Sequence, residues 1–334
     1  MKTEKRSALL LWALVAVMVV GTAALSSATA AAAAWQPTKP VEFNGPAGTG
    51  GGADIMARFI SPLFQKNNIT KQPWIVVNRS GGAGAEGFLY MKGKAGDPNA
   101  VIITLSNLFT TPMATGVPFN WRDMTPVARL ALDYFVLWVN ADSPYKTAKE
   151  YLEAVKKEPS KFKMGGTGTK QEDQIITVQI EQGFPGTKFA YVPFKGGGEV
   201  CVELVGKHID STVNNPSECV SHWRAGKVRP LAVIDSQRIP YPEWDKIPTL
   251  KEATGVDISY LMIRGIFAAP KIPKDVQEGY IELFKKVTDT EDFKKYMVDN
   301  ALKPAFLSGP EFVKWLEETD AMHKELMKKG GMIK

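Results

Sequence analysis

The chain has 334 residues, 44% of them hydrophobic and 23% charged, with a formal net charge of +6. These are ordinary globular proportions over a length sufficient for two domains, and they exclude a disordered, collagen-like or coiled-coil chain. Lys and Glu are interspersed rather than blocked, which excludes a nucleic-acid footprint; two cysteines cannot build a disulfide scaffold, and three histidines leave little for a histidine-centred active site.

The first 34 residues read as an export signal. Lys2, Lys5 and Arg6 form a basic start, 9–20 is a continuous apolar run, and 26–34 supplies small residues for a signal peptidase, with cleavage expected near Ala34. A permanent anchor needs about 20 strongly apolar residues, whereas here the run decays into Gly, Thr, Ser and Ala after Val20. Removing three basic residues and one acid, Glu4, lowers the formal charge from +6 to +4. The expected location is the periplasm.

Short apolar runs at 41–44, 74–78 and 101–105 read as strands. Between the first two, Ile55, Phe59 and Leu63, and likewise Met56, Ile60 and Phe64, recur every fourth residue, giving one wide apolar helix face that Pro62 should kink or shorten. Alternation of this kind predicts right-handed crossovers and a mainly parallel sheet. A second αβ unit follows. Its strands are expected at 135–140, 162–164, 189–192, 209–213 and 231–234, and its helices at 145–157, 171–182, 198–205 and 216–224. A last strand at 265–269 leads into a tail dominated by helix, at 276–288, 290–300 and 309–328. The chain passes between units in strands near Val136 and Ile266, as a two-strand hinge would. The expected division is 35–137 plus 265–334 for lobe 1 and 138–264 for lobe 2.

Two glycine-rich loops carry the chemistry. Gly48, Thr49, Gly50, Gly51, Gly52 and Asp54 lie in the first, and Gly166, Thr167, Gly168, Thr169 and Lys170 in the second, each between a strand and a helix. Glycines there let amides face outward at a helix N-terminus, which suits a carboxylate or phosphate. As plain turn punctuation one such loop would be unremarkable; two at equivalent places favour a ligand. Walker A and the dinucleotide fingerprint fail in detail: Lys170 follows Thr169, and Asn78 stands where an acid is expected. No Gly-x-Ser-x-Gly elbow is present. Further strand ends contribute the loop 78–84, Ser106, Asn107 and Phe109, then Phe194, Lys195 and Gly196, and Asn214; ligands bind at such carboxyl ends in parallel αβ sheets.

Cys201 and Cys219 are open to three readings: a disulfide, two small buried residues, or a metal site with His208 and His222. Metal-type cysteine spacing is absent.

At these residues the chain resembles the Bug-type solute-binding proteins of the tripartite tricarboxylate transporter family. The match runs through the first glycine loop into 54–58, then 77–84, 192–197, 247–252 with Gly255, and 267–270. The resemblance implies a type II periplasmic binding fold, two lobes that close on a small organic acid, delivery to membrane permease subunits, no cofactor and no catalysis. It places Gly48 to Asp54 and Gly166 to Thr169 at one ligand carboxylate. Two departures stand out: Ala53 replaces a common Thr, and Lys170-Gln171-Glu172-Asp173 stands where a serine and a later histidine are more usual.

A rival reading is an exported enzyme acting on an organic acid with Asp54 or Asp173 as base; a third is a ligand-sensing lobe feeding a receptor. Phe109, Tyr191 and Phe194 as candidate walls, with Lys170 and Arg79 as the nearest cations, lean to an aromatic or aliphatic dicarboxylate over a tricarboxylate. A monomer is expected.

Overall fold

The computed structural model describes residues 35–334; the predicted export signal lies outside the described residues. The first strand, β1 (Val41–Gly45), leads through the first glycine loop into α1 (Gly52–Lys66). Met56, Ile60 and Phe64 are fully buried on one face of α1, as the four-residue spacing predicts. The helix runs on through Pro62 to Lys66 rather than ending early.

Strands β2 (Trp74–Asn78) and β3 (Ala100–Thr104) flank β1, both parallel to it. Every residue of β3 is buried, which suits its unbroken Ala-Val-Ile-Ile sequence. The sheet is mixed rather than mainly parallel. Beyond β3 come β10 (Met262–Ala268), β4 (Thr125–Asp133) and β11 (Leu302–Ser308), all antiparallel to their neighbours. Neither β4 nor β11 stands out in the sequence. Pro126, Arg129 and Asp133 interrupt the apolar run of β4, and β11 is an edge strand with Pro304 beside a register shift. The loops after β2 and β3 also contain helices, α2 (Ala85–Gly93) and α3 (Asn107–Thr115), where the sequence suggested loop alone.

The chain leaves this sheet after Asp133 and enters the second at β5 (Val136–Asn140), which pairs antiparallel with β8 (Ser211–Thr212) and β9 (Val228–Val233). It returns along 234–261 to β10. The second sheet has the order β7-β6-β8-β5-β9, with β6 (Lys163–Thr167) parallel to β7 (Ala190–Phe194) and to β8. Its helices are α4 (Ala148–Lys157), α5 (Glu172–Gly183), α6 (Gly197–Val205), α7 (Pro216–Arg224) and the short α8 (Leu250–Thr254). Cys201 of α6 and Cys219 of α7 form a disulfide with Cα atoms 5.8 Å apart.

Three C-terminal helices, α9 (Lys274–Thr288), α10 (Glu291–Asp299) and α11 (Gly309–Lys329), pack back on the first sheet. Phe64 stacks on Trp74 at 3.7 Å, and Phe284 of α9 meets both rings edge-on. No helix among the described residues is long and apolar enough to cross a membrane.

Candidate functional site

The first glycine loop is held by its own protein before any ligand is considered. Asp54, in the first turn of α1, accepts the Gly50 amide at 2.9 Å and the Arg58 guanidinium at 2.8 Å. Arg58 reaches on to Asn78, whose side chain donates to the Ala47 carbonyl. This is a cap that uses the helix dipole. Only Gly50 of the cluster Gly48 and Gly50 to Gly52 has positive φ, at 78°, so the remaining glycines serve close approach rather than a left-handed backbone.

That approach is to the opposite lobe. The Gly52 amide donates to Glu218 Oε1 of α7 at 3.0 Å, and Glu218 Oε2 accepts the Asn215 amide at 3.1 Å. A Cβ on Gly198 would sit 2.8 Å from the Gly50 carbonyl oxygen, and one on Gly48 would sit 3.3 Å from that of Lys195. Behind the loop, Arg264 pairs with Asp133, both buried, and donates to Asn215 across the sheets at 3.3 Å. Burial pushes the Asp133 carboxyl up and Arg264 pulls it back.

The second loop is likewise occupied. Asp173 accepts the Thr167 amide at 2.5 Å, the Gly168 amide donates to Phe194 O, and Lys170, at φ 59°, donates its amide to Gln174. Tyr191 donates to the Gly168 carbonyl at 3.0 Å. Gly166 leaves room for Tyr191 and Asp173, since a Cβ would lie 2.4 and 2.6 Å from them. Asn214, buried, donates to Gly197 O at 2.6 Å and so fixes the start of α6. Burial raises Glu172 to about 7 and Asp173 well above its ordinary range, with Glu172 adding repulsion to the latter. Burial also raises Glu218 to about 7, against the pull of Arg264.

Between the two sheets lies a cavity of about 530 Å³. Of the residues singled out from sequence, Asn107, Thr167, Gly168, Thr169, Phe194 and Lys195 line it. The first loop contributes through Pro46 and Ala47, while Gly48, Thr49, Gly50, Gly51, Gly52 and Asp54 lie outside the lining, as do Gly166, Lys170, Gly196 and Asn214. Phe109 is buried in the core, stacked on His323 at 5.1 Å, and Ser106 is buried beside it in sequence at the start of α3. Arg79 is committed to Glu42 and Asn44 and stacks on Tyr90.

The loop 78–84 flagged from sequence supplies Ser80 to Ala83 to the walls, while Gln171, not singled out as a ligand residue, also forms part of them. Gln171 crosses the cleft and donates to the Ala83 carbonyl at 3.0 Å. Both lay in segments the sequence had flagged, the loop after β2 and the departure at 170–173. The cysteines are consumed by their disulfide, and the described residues hold no group of three His, Cys, Asp or Glu placed for a metal.

Two αβ sheets with a cavity between their strand ends define the class of two-lobed solute-binding proteins. The chain belongs to the tripartite tricarboxylate transporter family receptors, whose family model matches residues 63–332. It is 28% identical over 303 residues, 89% of each chain, to a UPF0065 protein from the gbd 5' region of Cupriavidus necator. It is 25% identical over 246 residues to BugT of Bordetella pertussis, covering 72% of this chain and 73% of the other. Among solved structures, it resembles a TctC solute-binding protein from Polaromonas at 27% identity and TM-score 0.64, covering 88% of this chain and 99% of the other. A periplasmic transporter aligns at 25% identity and TM-score 0.82, covering 89% and 99%. This is a family of receptors rather than enzymes, so the exported-enzyme reading is set aside.

Proposed function

We propose that this chain is an extracytoplasmic solute-binding protein that captures a small organic carboxylate between its lobes and delivers it to the membrane permease of a tripartite tricarboxylate transporter. The observation that carries the reading is the cavity itself. It is walled by both sheets, and its one cationic lining side chain, Lys195, stands with the hydroxyls of Thr167 and Thr169. The two-sheet division supports two lobes near the expected bounds of 35–137 with 265–334, and of 138–264, with 136–137 passing to the second sheet in β5 and 262–264 to the first in β10; the reading adds a monomer exported by cleavage near Ala34. A ligand that touches both walls stabilises the closed arrangement by differential contact. One lining cation works against a tricarboxylate.

A thermal-shift screen of mono-, di-, tri- and aromatic carboxylates tests this. Adipate and malate, present in the solved structures of two proteins of the same fold at 22% and 21% identity, enter the panel as probes. A ligand at 100 times its dissociation constant stabilises by about 2.7 kcal/mol. Lys195→Ala should abolish most of the shift without lowering the unliganded melting point, because Lys195 is exposed. A panel in which no carboxylate moves the melting point overturns the proposal.

A further inference from the structure

Gln171 stands at the N-cap of α5, the position from which a polar side chain ordinarily accepts a bond from its own helix. Its side chain makes no such bond. The left-handed residues Gly168, φ 63°, and Lys170, φ 59°, turn the loop ahead of it, and Gln171 is left only 3% exposed. Its Nε2 is committed to the loops of the other sheet, donating to the Ala83 carbonyl at 3.0 Å and to Thr111 Oγ1 at 3.4 Å. The carbonyl fixes the sense of the amide, since a flipped amide would set two acceptors against each other.

The acceptor is prepared by its own side of the cleft. Ala83 is itself left-handed, at φ 59°, between Gly82 at 60° and Gly84 at 91°, a conformation that a residue with a Cβ seldom adopts. Thr111 Oγ1 and Asn107 Nδ2 donate to the same carbonyl, at 2.6 and 3.3 Å, and hold it in place. Among the described residues, no other hydrogen bond joins a cavity-lining residue of one sheet to one of the other. The bonds of Gly52 with Glu218 and of Arg264 with Asn215 sit where the chain crosses between sheets, because Asn215 also donates to the Tyr134 carbonyl in the crossing segment. By contrast β2, whose following loop carries Ala83, is three strands from β10, and β6, whose loop carries Gln171, is two from β5. At the usual strand spacing, that sets these loops about 10–14 Å from the crossing strands. Rotation of one lobe about the crossing therefore breaks the Gln171 bond before it disturbs the other two.

We propose that Gln171 is the latch of the closed cleft, a positioning residue whose amide ties the two cavity walls together, so that ligand enters and leaves when the bond to Ala83 opens. The proposal rests on the two-lobe capture reading. Spin labels at Leu89→Cys on α2 and Lys161→Cys ahead of β6, both exposed, report the separation of the lobes without any ligand; the native cysteines are bonded and take no label. Pulsed-EPR distances in ligand-free protein should show a closed population. Gln171→Met, which keeps the length and removes the donor, should lower the closed-to-open ratio by about fivefold to tenfold, the scale of one hydrogen bond. Thr111→Val, which takes a hydroxyl from the Ala83 carbonyl, should shift the ratio the same way, and it carries the test if Gln171→Met does not fold. Whichever of adipate and malate binds the wild type should dissociate from Gln171→Met faster by a similar factor in stopped flow. No closed population without ligand, or a ratio that neither variant moves, overturns the latch. Weaker binding with unmoved label distances makes Gln171 a ligand contact and also overturns it. Distances that shift while no carboxylate of the panel binds leave the latch standing and overturn carboxylate capture.

Discussion

Gly52 shows how much a single missing methyl can carry. A Cβ there would lie 2.1 Å from Arg264 Nη2, and its amide is the donor to Glu218. The neighbouring Gly51 has extended backbone, φ −75°, and its nearest obstacle, the Gly48 carbonyl oxygen, would be 3.3 Å away. Gly52→Ala should therefore cost about 2–3 kcal/mol, since the buried guanidinium has to shift from Asp133. Gly51→Ala should cost less than about 1 kcal/mol. Urea unfolding of both variants checks the contrast, and equal costs would mean that the Arg264 contact does not govern this position. From sequence the two glycines looked equivalent, because composition records density and not which neighbour lies over each Cα.

At the scale of elements, the disulfide joins α6 to α7, the two helices whose starts touch the first lobe through Gly198 and Glu218. It closes a sequence separation of 18 residues, for which the chain-entropy estimate gives about 3 kcal/mol. Reductant should lower the unfolding midpoint accordingly, and titration of the unfolded, unreduced protein should find no thiol. Both helices flank β8 in sequence, and the disulfide sets them side by side. Strands β1, β2 and β3 were legible in the sequence, being apolar and bounded by turn residues. The strands β4 and β11 were not, since their stability comes from pairing with β10 and with each other rather than from local pattern. The same distinction governs the site. Glycine loops at strand ends announce themselves, but the carboxylates that occupy their amides come from 4, 6 and 166 residues away in sequence. Spacing foretells the nearest of these and is silent on the last.

Across the whole molecule, acids enclosed between the lobes set an unusual response to pH. Glu172 and Glu218 titrate near 7 in the folded protein against an ordinary 4.5, and Asp173 is raised further from 3.8. The cause is burial in each case, and Glu172 Oε2 has no protein partner to stabilise its charge. Between pH 4.5 and 7 the folded chain thus holds protons that the unfolded chain has released, so stability falls as pH rises through that window. His323 acts in the opposite sense. Buried against Phe109 and Tyr260, it is lowered to about 4 from 6.5, and it favours the folded state as pH rises from 4 to 6.5. Asp133, raised to about 6, joins the acids; four acids against one histidine leave a net surplus of at least one proton in the folded state, and each such proton changes stability by about 1.4 kcal/mol per pH unit. Unfolding free energy should therefore be lower at pH 7.5 than at pH 5, by about 2 kcal/mol or more, where most soluble domains are flat or improve. Glu172→Gln, which keeps the shape and removes the charge, should raise stability at pH 7.5 and flatten the profile. Urea titrations of both proteins at the two pH values decide it: a wild-type stability that climbs from pH 5 to 7.5 would show that these carboxylates are ionised at little cost, with Arg264 compensating more of the cluster than Asp133 alone.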